Sequence, residues 1–130
     1  MAKNLGFTLV ELVIVIVIVG ILSVVAVPIY TGYTKRAMAT EAEGTLGAIN
    51  TAQKVYYAEH SCFLATVGEV SDNGTLDINL VSNKYFTSFQ VNTSATGFTA
   101  TTAGAGGASG ISVTLTGSDS GGATITRNGI

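Results

Sequence analysis

Apolar positions in this chain are concentrated at its start. After a short polar stretch with one cation, Lys3, an apolar run extends from Phe7 to Tyr30, and Glu11 is its only ionisable side chain. A helix needs about 20 such residues to cross hydrocarbon. Val and Ile dominate the run, which by propensity favours strand. Length decides for helix, because strands seldom exceed about 10 residues and an open strand leaves its backbone unsatisfied in lipid. The helical pattern then continues with a change of character. Met38, Ala42, Leu46, Ile49, Gln53 and Tyr56 recur at steps of four and three and mark one face, while Lys35, Arg36, Glu41, Glu43, Lys54 and Glu59 fall mostly off it. A single helix from about residue 8 to 59 is predicted, roughly 75–80 Å long at 1.5 Å per residue. A domain of the remaining size cannot bury such a helix, so its first half needs a membrane or identical neighbours.

Gly20, Pro28, Gly32, Gly44 and Gly47 fall inside this helix. Pro28 lacks the N–H that would bond the Val24 carbonyl and its ring crowds that carbonyl, which predicts a kink. Gly20 to Pro28 is therefore expected to be the weakest stretch.

From Ser61 onward the pattern changes period. Residues 61–130 hold 11 Gly, 12 Thr and 9 Ser against 6 charged residues. Segments Tyr85–Val91, Phe98–Thr102, Ile111–Thr116 and Ala123–Arg127 are alternating or β-branched and are separated by Gly, Ser and Asn turns. Ile111, Val113 and Leu115 should share one side, with Ser112, Thr114 and Thr116 on the other. The expected fold is α+β: a long N-terminal helix whose second half covers a roughly four-stranded antiparallel sheet. Gly104–Gly110 and Gly117–Gly122 are expected as flexible hairpin loops, and Leu64–Leu80 as an irregular connector with a short strand around Ile78.

Composition narrows the class further. The formal charge of −2 becomes −3 once Lys3 is discounted, with no clustered basic face, so no specific nucleic-acid site is expected. Cys62 is the only cysteine, which excludes an intrachain disulfide. A secretory signal is the wrong reading of the N-terminus. The apolar run is longer than the 7–15 residues of such a segment and leads through Pro28-Ile29-Tyr30 into a polar helix rather than a small-residue cleavage site.

The residues around the start of the run carry the strongest signal. Gly6-Phe7-Thr8-Leu9-Val10-Glu11-Leu12 follows the short leader, and Pro28, Tyr30, Tyr33, Lys35-Arg36-Ala37 and Glu41-Ala42-Glu43 lie downstream. This arrangement closely resembles the type IV pilin family, over residues 1 to about 63; beyond that the likeness is architectural. The resemblance implies a cytoplasmic leader, residues 1–6, cut between Gly6 and Phe7 by a prepilin peptidase that also methylates the new Phe7 amine. It further implies a membrane and polymerisation helix over 7–30, an amphipathic half over 31–60, and a connector and β head over 61–130. The implied product is a homopolymer: a pilus on the cell surface serving adhesion, twitching motility or DNA uptake. Its subunits would be stored in inner-membrane lipid and assembled by a platform with minor pilins, without a cofactor and without enzymatic activity. The family also suggests that Gly20 to Pro28 loosens when a subunit leaves lipid for the filament. Many relatives close a C-terminal loop with a disulfide, and a single cysteine departs from that pattern.

Glu11 has two explanations. Thr8-Leu9-Val10-Glu11 fits a capping box, a local role in which the carboxylate accepts a free N-terminal amide. A carboxylate inside an apolar run is nevertheless costly and marks function by default. Pairing it with the Phe7 amine of a neighbouring subunit would neutralise both charges and set the register of assembly, which is the preferred reading.

Other candidates are weaker. His60 and Cys62 are too few for zinc, which takes three or four protein ligands, and they lack an orienting third group for catalysis. Cys62 is expected to pack where the helix gives way to the connector. Asn73-Gly74-Thr75 and Asn92-Thr93-Ser94 match the N-glycosylation sequon. The competing functions are a minor pilin or a type II secretion pseudopilin. The major pseudopilin tends to bind calcium through acids in its C-terminal loops, and Asp119 is the only acid after Asp77, too few for six to eight oxygen ligands.

Overall fold

The computed structural model describes residues 6–65, 67–69, 76–78 and 83–130. The first element, α1, runs Leu9–His60 and is followed by β1 (Val67–Glu69), β2 (Leu76–Ile78), β3 (Phe89–Ser94), β4 (Gly97–Ala103), a 3₁₀ turn at Gly106–Ala108, β5 (Ser112–Ser118) and β6 (Ala123–Asn128). Two units divide the chain, one ending at Thr34 and the other spanning Lys35–Ile130.

In the first unit every described residue from Gly6 to Thr31 is exposed. α1 is the one helix among the described residues long and apolar enough to cross a membrane. Its hydroxyls are satisfied within the helix: Ser23 Oγ donates to the Val19 carbonyl at 2.7 Å and Thr31 Oγ1 to that of Pro28 at 2.9 Å. Polar side chains in a lipid-facing helix are tolerated when they bond back to the backbone in this way.

The second unit holds the core. β3, β4, β5 and β6 form an antiparallel meander in that order. The register places Val91 opposite Ala100 and Ala100 opposite Leu115, so these three lie in one row across the sheet. Their row packs with Ala42, Leu46 and Ile49 of α1, and Ile111, Val113 and Leu115 are each buried as the alternation requires. Burial of a side chain such as Leu46 or Ile49 contributes about 1.5–3 kcal/mol. Gly117 allows a close approach here: a Cβ on it would enter the Phe98 ring directly across the ladder.

Gln53, on the helix stripe, is fully buried and binds the chain where it leaves the helix. Its amide oxygen accepts the Leu64 N–H at 3.0 Å and its amide nitrogen donates to the Leu64 carbonyl. Ser61, directly after α1, takes a left-handed conformation (φ 56°) and donates its N–H to the Tyr57 carbonyl at 2.8 Å, closing the helix.

Three sequence expectations need correction. The first strand of the sheet begins at Phe89 rather than Tyr85, because the Tyr85 and Phe86 amides are taken by a helix carboxylate instead of a neighbouring strand. The Gly104–Gly110 loop is built rather than open: it contains the 3₁₀ turn, and Ala108 in it is fully buried. The connector is less irregular than expected: besides the strand anticipated around Ile78, β2, it carries a second, β1, paired with it in parallel, and Leu76 and Ile78 are in the core. Residues 70–75, including the Asn73 sequon, lie outside the described residues.

Candidate functional site

Gly6 and Phe7 precede the first helical residue and are exposed, Phe7 at 83%. The bond between them therefore lies in accessible backbone outside the helix. Thr8 caps the helix. Glu11 Oε2 accepts the Thr8 N–H at 3.0 Å and the Thr8 hydroxyl at 2.8 Å, and the Glu11 N–H donates to Thr8 Oγ1 at 3.3 Å. These bonds form the reciprocal capping box read from Thr8 to Glu11. Both contacts to the carboxylate fall on Oε2, so Oε1 has no partner among the described residues. The capping box therefore leaves one carboxylate oxygen available to a cation.

Between Gly20 and Pro28 the single chain is helical throughout. A Cβ at Gly20 would meet nothing within 4 Å, so this glycine fills no packing need inside the chain.

In the head, two helix carboxylates that the sequence pattern left on a solvent face hold other segments. Glu41 Oε1 accepts the Tyr85 N–H at 2.8 Å and the Phe86 N–H at 3.0 Å. Desolvation raises the Glu41 pKa, but the amides of Tyr85, Phe86 and Lys84 and the Lys84 charge together outweigh it and hold the carboxyl below its ordinary value. Glu43 makes a two-pronged ion pair with Arg127 of β6, through Nε and Nη2. The hydrogen bond from Arg127 is the main reason the Glu43 pKa is lowered, and the same bond raises that of Arg127. One signal in the sequence could have found both carboxylates: they flank Ala42 beside the apolar stripe, and Glu43 lies about one turn from both Ala39 and Leu46.

The remaining candidates are not brought together. His60 stacks on Tyr56 with ring centroids 4.2 Å apart. Cys62 is exposed, contrary to expectation. Phe63 is the side chain that packs there, 4.6 Å from the Tyr57 ring and 5.4 Å from Phe98. The cause is the turn at Ser61, which points the chain so that the larger apolar ring reaches the core. Asn92 is exposed on β3. Among the described residues no three His, Cys, Asp or Glu side chains cluster to hold a metal.

Comparison with known proteins addresses the same N-terminal residues. Residues 1–27 match the family model described as the prokaryotic N-terminal methylation motif. A fimbrial protein, EcpC of Eikenella corrodens, is 37% identical over 109 residues, covering 82% of this chain and 67% of that protein. The chain belongs to the type IV pilin family. It is also 39% identical over 75 residues to the type IV major pilin protein PilA of Myxococcus xanthus, and 51% identical over 55 residues to a type IV major pilin of Neisseria gonorrhoeae. The match spans about a third of the length of each of those two pilins. No solved structure matches the chain. Pilins are structural subunits, not enzymes, and the long apolar helix on a four-stranded antiparallel sheet is a pilin-like α+β fold.

Proposed function

We propose that this chain is the repeating subunit of a type IV pilus, made as a prepilin with the leader 1–6, cut between Gly6 and Phe7, methylated on Phe7 and polymerised through residues 7–30. One observation carries the reading. The first half of α1 is a continuous exposed apolar surface with a single carboxylate. Such a surface is stable only in lipid or against like surfaces. Storage in the inner membrane followed by assembly into an extracellular filament supplies each environment in turn. The peptidase, an assembly platform and minor pilins are the partners this route requires. Adhesion, twitching motility and DNA uptake are the tasks such a filament would serve.

Within the filament, Glu11 would pair with the methylated amine of Phe7 on the adjacent subunit. Loss of one member of a buried ion pair leaves the other uncompensated, which makes the pair a check on register. Mass spectrometry of protein sheared from cells tests the whole route. The expected mass begins at a methylated Phe7, and this chain should be the dominant band. A sheared chain that keeps Met1, or one cut after Ala26, would overturn the proposal. Dominance in the sheared fraction also separates a major pilin from a minor one or from a pseudopilin.

A further inference from the structure

The head has two chemically different ends. Lys35 Nζ donates to the Gly129 carbonyl at 3.5 Å, and Lys54 Nζ to that of Gly121 at 3.1 Å. β6 therefore runs alongside the helix in the opposite direction, and these two bonds lie about 28 Å apart along it at 1.5 Å per residue. At the Lys35 end is a groove of about 640 Å³ between the helix and β6, lined by Arg36, Thr40, Glu43, Ile125, Arg127 and Ile130. Glu43 and Arg127 pair with each other, which leaves Arg36 without an ion pair among the described residues. Ile125 and Ile130 are partly exposed in it, at 38% and 42%.

At the Lys54 end lies the β5–β6 turn, Ser118–Gly122, exposed from Asp119 to Gly122 and carrying only small side chains. Its shape is fixed: the Asp119 N–H donates to the Thr96 carbonyl at 3.0 Å and the Gly121 N–H to that of Ser118 at 3.1 Å. The Asp119 side chain is exposed and makes no ion pair among the described residues. Glu59, exposed near the end of α1, adds a second carboxylate, against the one cation Lys54.

We propose that the groove at Arg36 receives the Ser118–Gly122 turn of a second copy of this chain, with Asp119 of that copy on Arg36. An unpaired cation beside two partly exposed isoleucines at one end meets an unpaired anion on a short turn at the other. A contact between two different surfaces of identical chains repeats head to tail and builds an open filament or a ring, unlike a two-fold contact, which stops at a dimer. The inference rests on the subunit reading above and adds to it a specific contact between heads. Opposed charges at such a contact also reject wrong registers, because like charges facing one another are strongly unfavourable.

The test uses the full chain in cells that produce the filament. Arg36→Glu and Asp119→Arg should each lower the yield of sheared filament by about tenfold or more, and the two together should restore it. Thr40→Cys with Ser120→Cys, in a Cys62→Ser background, should give a ladder of covalent multimers when filaments are mildly oxidised, and either cysteine alone should give none. Wild-type yield from both single charge reversals, no rescue by the pair, or filaments without the ladder would overturn the head contact. Those outcomes leave the subunit reading standing, since the unaltered chain still forms filaments. Failure of the unaltered chain to appear in any filament would overturn the subunit reading instead.

Discussion

At Glu11 the local role seen here and the proposed pairing with a neighbouring amine make different demands on one side chain. The capping bonds to Thr8 use one carboxylate oxygen and would survive conversion to an amide, because glutamine serves a capping box as well as glutamate does. Pairing with an amine needs the charge. Glu11→Gln should therefore leave the subunit helical and membrane-inserted while filament assembly is lost, read by circular dichroism of the detergent-solubilised chain and by the sheared fraction. Normal piliation of that variant would assign Glu11 to the cap alone. Glu41 gives a second residue-scale expectation. Its pKa in the folded head lies below the ordinary 4.5, so the unfolded chain takes up a proton more readily than the native one. The stability this adds is present above pH 4.5 and is lost as pH falls through the lower, folded-state value. Thermal unfolding of the detergent-solubilised chain should show a lower midpoint at pH 3 than at pH 6, and Glu41→Gln should shrink that difference. An unchanged pH dependence would remove the Glu41 clamp on Tyr85 and Phe86 from the account.

At the scale of elements, the helix is the informative case. Gly in a helix interior is less favourable than Ala by about 1 kcal/mol and Pro by about 3. In lipid those deficits are masked, because an unbonded backbone group in hydrocarbon is worse still. In a filament, neighbouring chains and water can take over the freed groups, so Gly20 to Pro28 is where α1 would extend. Gly20→Ala with Pro28→Ala should keep the single chain helical, since nothing within 4 Å opposes a Cβ at Gly20, and should give a stiffer or poorly assembling filament. A structure of the native filament with unbroken helix from Gly20 to Pro28 would reduce Pro28 to a tolerated kink. The sheet makes a complementary point. Its alternation at Ile111, Val113 and Leu115 was plain in the sequence, because burial of one face leaves a period of two. The start of β3 was not, since Tyr85 and Phe86 have strand-like side chains whose amides are claimed by Glu41, 44 and 45 residues earlier in the chain.

For the molecule as a whole, the division at Thr34 and Lys35 separates a surface that needs company from a head with its own core. A chain beginning at Lys35 should be soluble and monomeric in analytical ultracentrifugation. The groove contact between heads does not alter that expectation, because a single exposed ion pair contributes little by itself and acts here as a selector of register. Stable filaments from that shortened chain would contradict the division.

What the sequence determined by itself was everything governed by local order along the chain. An apolar run longer than a bilayer core, a capping box at Thr8 and Glu11, and a switch from helical to strand period at Ser61 each depend on near neighbours in sequence. Their physics is readable without coordinates. Tertiary structure alone decided the partnerships between distant residues. Gln53 became a clamp on Leu64, Glu41 an acceptor for a loop, Glu43 a partner of Arg127, and Phe63 rather than Cys62 the side chain that packs after the helix. Hydrogen bonds and ion pairs act over about 3 Å in space, and the distance along the chain that separates their members leaves no periodic trace in the sequence.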